Sequence, residues 1–137
     1  MRILGVDYGD ARVGLAISDE MQIIASPLPP LQAISMRKTI DAVCDAAKNN
    51  DAQIIVVGLP LNMNGTEGPQ ANKVKAFAEK LKIVSGLKVE LMDERLTTVF
   101  VSRAFDETGV KKSKRLQLVD SASAQVILQN YLDKHNR

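Results

Sequence analysis

Arg2-Ile-Leu-Gly-Val-Asp7, the turn Tyr8-Gly-Asp10 and Arg12-Val-Gly-Leu-Ala-Ile-Ser18 decide the fold of this chain. The first run is apolar, with β-branched residues and no alternation, which suits a central strand covered on both faces. Tyr8-Gly9-Asp10 is a turn signal, and residues 12–18 resume as a second strand. After Asp19-Glu20, residues 22–25 read as a short third strand. Such close spacing makes the three antiparallel neighbours, because parallel strands need a far longer crossover.

Beyond the hairpins the period changes. Pro27, Pro29 and Pro30 mark a loop. Ser35 is placed to cap a helix running to about Lys48, with Ile40, Val43, Cys44 and Ala47 on one face. Asn49-Asn50-Asp51 closes it, and residues 53–58 form a short, continuously apolar strand. Residues 59–68 are a loop. Pro69 then suits a first helical position, with Ala71, Val74, Phe77, Ala78, Leu81 and Val84 at helical spacing. Residues 87–92 form another strand. Thr97 or Thr98 caps a shorter helix to about Glu107, stopped by Gly109, and a last helix spans about residues 114–134. The order β-β-β-α-β-α-β-α-α implies an α/β fold: a mixed five-stranded sheet, its first three strands antiparallel, flanked by helices. With no repeat, low-complexity tract or linker, one domain over residues 1–137 is expected.

Composition narrows the chemistry. At 45% hydrophobic and 25% charged, the chain is an ordinary globular sequence long enough to fold without staples. Cys44 is its only cysteine and His135 its only histidine, so an internal disulfide and a Cys/His zinc site are both excluded. Any metal must be held by oxygen. Nothing approaches the roughly 20 apolar residues of a membrane helix. The first residues reach a charge too early for a secretory signal, so a cytoplasmic protein is expected. Aromatic residues are only 4% of the chain, which disfavours base stacking as a recognition mode. The net charge of +2 says little, but Lys111, Lys112, Lys114 and Arg115 fall within five residues. That run reads either as a solvated helix start or as a contact for phosphates.

Three distant acids are hard to explain structurally. Asp7 ends the first strand, where ligands collect in open α/β sheets, although turn chemistry also accounts for an Asp before a glycine. Asp93 and Glu94 end another strand. Neighbours on an extended chain point to opposite faces, so one can join Asp7, and Glu94 is preferred with Asp93 turned into a cap. Asp120 falls among Leu116, Val119, Ser123, Ala124, Ile127, Leu128 and Tyr131 on the apolar stripe of the last helix, where pairing with Arg115 is the structural alternative. Converging carboxylates without a matching buried lysine suggest a hard divalent cation, Mg²⁺ or Mn²⁺, and with it phosphoryl chemistry. Arg12, Arg95 and the cluster at 111–115 would position a nucleic-acid backbone. Asn62 and Asn64 are candidate phosphate or sugar contacts, or else plain turn residues. Gly9 to Gly14 has the glycine spacing of a phosphate loop, but Leu15-Ala16 stands where Lys-Ser/Thr should follow, and a strand follows where a helix should.

Gly5-Val-Asp-Tyr-Gly-Asp-Ala-Arg-Val-Gly-Leu-Ala16, Gly58-Leu-Pro-Leu-Asn-Met-Asn-Gly-Thr-Glu-Gly68, Asp93-Glu-Arg-Leu-Thr-Thr98 and Asp120 with Ala124 and Ile127-Leu128 resemble the YqgF (RuvX) family. These are RuvC-like Holliday junction resolvases, also described as pre-16S rRNA nucleases. The resemblance implies the ribonuclease H-like fold and an acidic site falling on Asp7, Glu94 and Asp120. It also implies a nuclease of structured RNA, acting on small-subunit rRNA precursor in ribosome biogenesis and meeting the ribosomal precursor particle. Four-way DNA is the other substrate it suggests. Two departures stand out: Arg12 where the family commonly has Lys, and Ser121-Ala122-Ser123-Ala124 where paired alanines are common. Rival readings are a non-catalytic RNA-binding assembly factor and a nucleotide phosphatase or actin-like ATPase, the last disfavoured because 137 residues supply only one lobe.

Overall fold

A computed structural model of the chain describes residues 1–93 and 112–135, the first turns of the last helix, to residue 120, as backbone. The elements are β1 (Arg2–Tyr8), β2 (Arg12–Ser18), β3 (Ala25–Gln32), α1 (Met36–Asn49), β4 (Ala52–Leu59), α2 (Pro69–Ser85), β5 (Lys88–Asp93) and α3 (Lys112–His135). The helix expected over 97–107 lies outside the described residues, as do Glu94, Arg95 and Lys111.

One five-stranded sheet runs in the order β3-β2-β1-β4-β5. β1 pairs antiparallel with β2 and parallel with β4, and β4 pairs parallel with β5. The apolar run of residues 2–8 is therefore the central strand. Its even residues Leu4 and Val6 join Val13, Leu15, Ile55 and Val57 in a core closed by α1 and α2. Its odd residue Ile3 joins Ala16 and Val56 in a second core, closed by α3 through Ala124, Ile127 and Leu128. Helices thus cover both faces, the condition under which a strand can be apolar throughout.

The helices start where local chemistry says they should. The Ser35 hydroxyl accepts from Lys38 N at 3.2 Å and caps α1. Pro69 opens α2, and Gly86 ends it in the left-handed conformation. Val84, placed on the apolar stripe of α2, is instead 57% exposed, in the last turn of the helix.

The third strand differs from expectation. Residues 20–22 form a turn, with Gln22 at φ 60°, and residues 23–24 follow outside any strand, the Asp19 carboxylate accepting from Ile23 N at 2.7 Å and Ile24 N at 2.9 Å. The strand begins at Ala25 and runs through the prolines. Two features allow this. β3 is an edge strand, where a missing N–H need not break a ladder. Its register also shifts between Val13 and Leu15, so that Pro29 and Pro30 together face Gly14 as a bulge.

Candidate active site at the carboxyl edge of the sheet

The parallel strands β1, β4 and β5 end on one edge, with Val6 level with Val57 and Leu59 level with Asp93. Asp7 stands at this edge, opposite Gly14 of β2, and is half-buried. Strand alternation puts it on the same face as Ile3 and Gly5, the face covered by α3.

Gly5 sets how close α3 comes. A Cβ there would stand 2.8 Å from Leu128 Cβ and 3.1 Å from the Ala124 carbonyl oxygen, so the helix rests directly on the β1 backbone. Hydrogen bonds to β3 and to Ile23 just before it fix its direction. Ser121 Oγ donates to Leu28 O at 2.7 Å, Gln125 Nε2 to Ala25 O at 3.0 Å, and Gln129 Nε2 to Ile23 O at 2.8 Å. Rising helix numbers meet falling strand numbers, and β3 runs parallel to β1, so α3 runs antiparallel to β1. Position 120, one turn before Ala124, therefore lies about 6 Å further toward the edge where Asp7 stands. Asp7 and the helical position of Asp120 thus fall toward the same edge of the sheet. Lys112, Lys114 and Arg115 belong to the first turn of α3, still further along that direction.

On β5, alternation separates the acids. Glu90 accepts a hydrogen bond from the Tyr131 hydroxyl of α3, and Met92 packs on the α3-side core, whereas Val89 packs on the α1/α2 side. Asp93 has the parity of Val89 and so falls on the face opposite Asp7. The Tyr131 hydrogen bond, with Lys88 at 3.0 Å, holds the Glu90 carboxyl below its ordinary range. Burial, and then Glu90, push the Tyr131 phenol up to about 12. This pair locks the far half of α3 to β5.

Loop 59–68 rises from the same edge. Asn62 Nδ2 donates to Thr66 Oγ1 at 3.0 Å, and Asn64 Oδ1 accepts from Thr66 N at 3.1 Å and Thr66 Oγ1 at 2.6 Å. Gly65, at φ 86°, makes the turn. The two candidate asparagines thus shape the loop itself. Arg12 begins β2, exposed, beside the turn in which its carbonyl accepts from Gly9 N at 3.0 Å. The sequence reading missed a lysine here. Tyr8, next to Asp7, stacks on Phe77 with ring centroids 4.2 Å apart. One turn earlier on α2, Lys73 Nζ reaches Asp10 Oδ1 at 3.5 Å. Its spacing of four before Phe77 was the available signal.

Among the described residues, no three His, Cys, Asp or Glu side chains gather as a metal site, since only one of the three candidate acids has its side chain described. Two cavities flank the sheet, the second reaching the edge at Asp93. One, of about 260 Å³, sits between α1 and α2, and one of about 480 Å³ flanks β5 beside Tyr131 and His135. No helix of the described residues is long and apolar enough to cross a membrane.

Solved structures share this architecture. Thermus thermophilus RuvC in complex with a Holliday junction substrate superposes with a TM-score of 0.61 at 13% identity, covering 99% of this chain and 96% of that one. The fowlpox virus resolvase complexed with Holliday junction DNA gives 0.60 at 16% identity, covering all of both chains. At such identities the likeness speaks to fold, and the fold is the RuvC-like form of the ribonuclease H-like class. A relative from Endomicrobium trichonymphae named "Putative pre-16S rRNA nuclease" is 47% identical over 133 residues, 96% of this chain and 95% of its own. Another of that name from Ruminiclostridium cellulolyticum is 42% identical over 135 residues, 98% and 95%. The family described as RuvX, Holliday junction resolvase, matches residues 1–134. The chain belongs to that family and, with it, to the hydrolases that cleave phosphodiester bonds.

Proposed function

We propose that this chain is a divalent-metal-dependent nuclease that processes the end of 16S rRNA precursor, using Asp7, Glu94 and Asp120. The observation that carries the reading is the Gly5 contact, which lets α3 run close along β1 and brings position 120 toward Asp7. Strand parity, which turns Asp93 away, supports Glu94 as the second carboxylate. The donor set fits Mg²⁺ or Mn²⁺: all candidates are hard oxygens, while Cys44 lies on α1 and His135 at the far end of α3. When bound, such an ion supplies charge neutralisation at the phosphodiester and a more acidic water. The carboxylates hold it, with Asp7 stiffened by a central strand. Arg12, Arg95, Lys111, Lys112, Lys114 and Arg115 draw in the phosphate backbone and set its register without reading sequence. Asn62 and Asn64 keep loop 59–68 shaped for phosphate or sugar. In this reading residues 1–137 act as a single domain, in the cytoplasm, on RNA within or released from the ribosomal precursor particle. The names of the curated relatives support the RNA assignment.

A four-way DNA junction is the second reading, favoured by the family's description and by the junctions held in the resolvase structures. A non-catalytic RNA-binding assembly factor is the third. The deciding experiment incubates labelled 16S precursor RNA and a labelled DNA junction with Mg²⁺ or Mn²⁺, using wild type and Asp7→Asn in parallel. RNA cleavage by wild type alone establishes the proposal. Junction cleavage alone transfers it to DNA, and binding of RNA without cleavage by either protein favours the assembly factor. Equal cleavage by both proteins sinks the assigned site.

A further inference from the structure

An acidic edge repels the backbone it must grip, so cations placed by the fold at that edge need a purpose. Lys73 is such a cation. Phe77, fully buried, stacks on Tyr8 and fixes the face that α2 turns toward the end of β1. Lys73 is one turn nearer the edge on that same stripe. Its ammonium clears the sheet and meets Asp10, in the turn that follows β1. Both partners remain open, at 58% and 71% side-chain exposure, so water and salt screen the pair and it adds little to stability. Asp10 is three residues from Asp7, at most about 11 Å of chain.

The geometry points to a second job for this pair: Lys73 binds a backbone phosphate of the nucleic acid close to the scissile one, and Asp10 holds its place until a phosphate displaces it. The inference rests on the nucleic-acid reading above and extends it to residues outside the acidic trio and the basic cluster. A carboxylate and a phosphate oxygen compete for one ammonium. An incoming strand that seats fully along the edge completes the exchange, and one that touches only the far side leaves the pair closed. Asp10 therefore weakens binding in general and makes it depend on correct seating. Backbone phosphate is common to RNA and DNA, so the device works on either.

The test uses the whole protein with chelator present, so that binding is read without cleavage. Fluorescence anisotropy follows a labelled 16S precursor fragment and a labelled four-way DNA junction across a salt series. Lys73→Gln should weaken binding about three-fold or more near 100 mM salt and lower the log–log salt slope by about 1. Asp10→Asn should tighten binding. The two variants break the same ion pair, so a structural role predicts like effects, whereas the exchange predicts opposite ones. Lys88→Gln breaks the Lys88–Glu90 pair at the other end of the sheet and should leave binding unchanged. Equal effects of Lys73→Gln and Asp10→Asn, no effect of either, or a Lys88→Gln loss as large as that of Lys73→Gln would overturn the inference while leaving the nuclease reading intact. Failure of wild type to bind either probe would overturn both. Opposite effects on RNA alone, or on the junction alone, would support the inference and name the polymer.

Discussion

Asp7 is a carboxylate at the end of the central strand, with α3 against its face. Asp7→Asn keeps the shape and removes the charge. Cleavage should fall at least about a hundredfold, the upper end for groups one shell further from a metal. The circular dichroism spectrum should not change; a collapsed spectrum would show Asp7 to be structural. Tyr131 provides a residue-scale test of α3's far half. Its raised pKa means that its contribution to stability is complete below the ordinary phenol value near 10 and is lost as pH rises toward about 12. Absorbance at 295 nm should show a phenol ionising near 12, and Glu90→Gln should bring it down part of the way, leaving the share due to burial. Glu90 has the opposite sign. Its depressed pKa contributes stability above the ordinary glutamate value, and this is lost as pH falls through the folded value.

At the scale of elements, the site depends on how α3 lies on the sheet. Gly5→Ala puts a methyl 2.8 Å from Leu128 Cβ, so the helix must lift or slide. The expected cost is about 2 kcal/mol in chemical denaturation, with a loss of cleavage beyond what stability explains, because position 120 moves with the helix. Unchanged cleavage at full folding would show that the acids do not need this approach. Ser121→Ala leaves the Leu28 carbonyl without its donor at the β3 contact and should cost about 1 kcal/mol. Ser121 thus ties α3 to an edge strand that carries prolines.

For the whole molecule, the test is linkage. Anything that binds the folded chain alone raises its melting temperature, by about 2.7 kcal/mol of stability at a hundred times the dissociation constant. Mn²⁺ should raise the melting temperature of wild type by several degrees and leave Asp7→Asn where it was. The metal-free melting temperature of each protein is the baseline from which its Mn²⁺ shift is read. A shift that is equal in both proteins would place the ion elsewhere.

What the sequence determined by itself was local or periodic: the central strand from its unbroken apolar run, α1 from Ser35 and a 3.6-residue stripe, α2 from Pro69, and the candidate acids from their oddness in apolar surroundings. The motif strings carried the family, because Asp93-Glu-Arg-Leu-Thr-Thr98 and the Asn62 loop are too specific to arise from packing. Tertiary structure decided the rest. Edge position lets β3 run through Pro27, Pro29 and Pro30, and a strand's place in the sheet is no property of its own residues. The direction of α3 along β1 carries position 120 toward the edge where Asp7 stands, across more than a hundred residues. Lys73 meets Asp10 one helical turn from Phe77, which stacks on Tyr8. Each of these is a relation between distant parts of the chain, which packing creates and local preference does not encode.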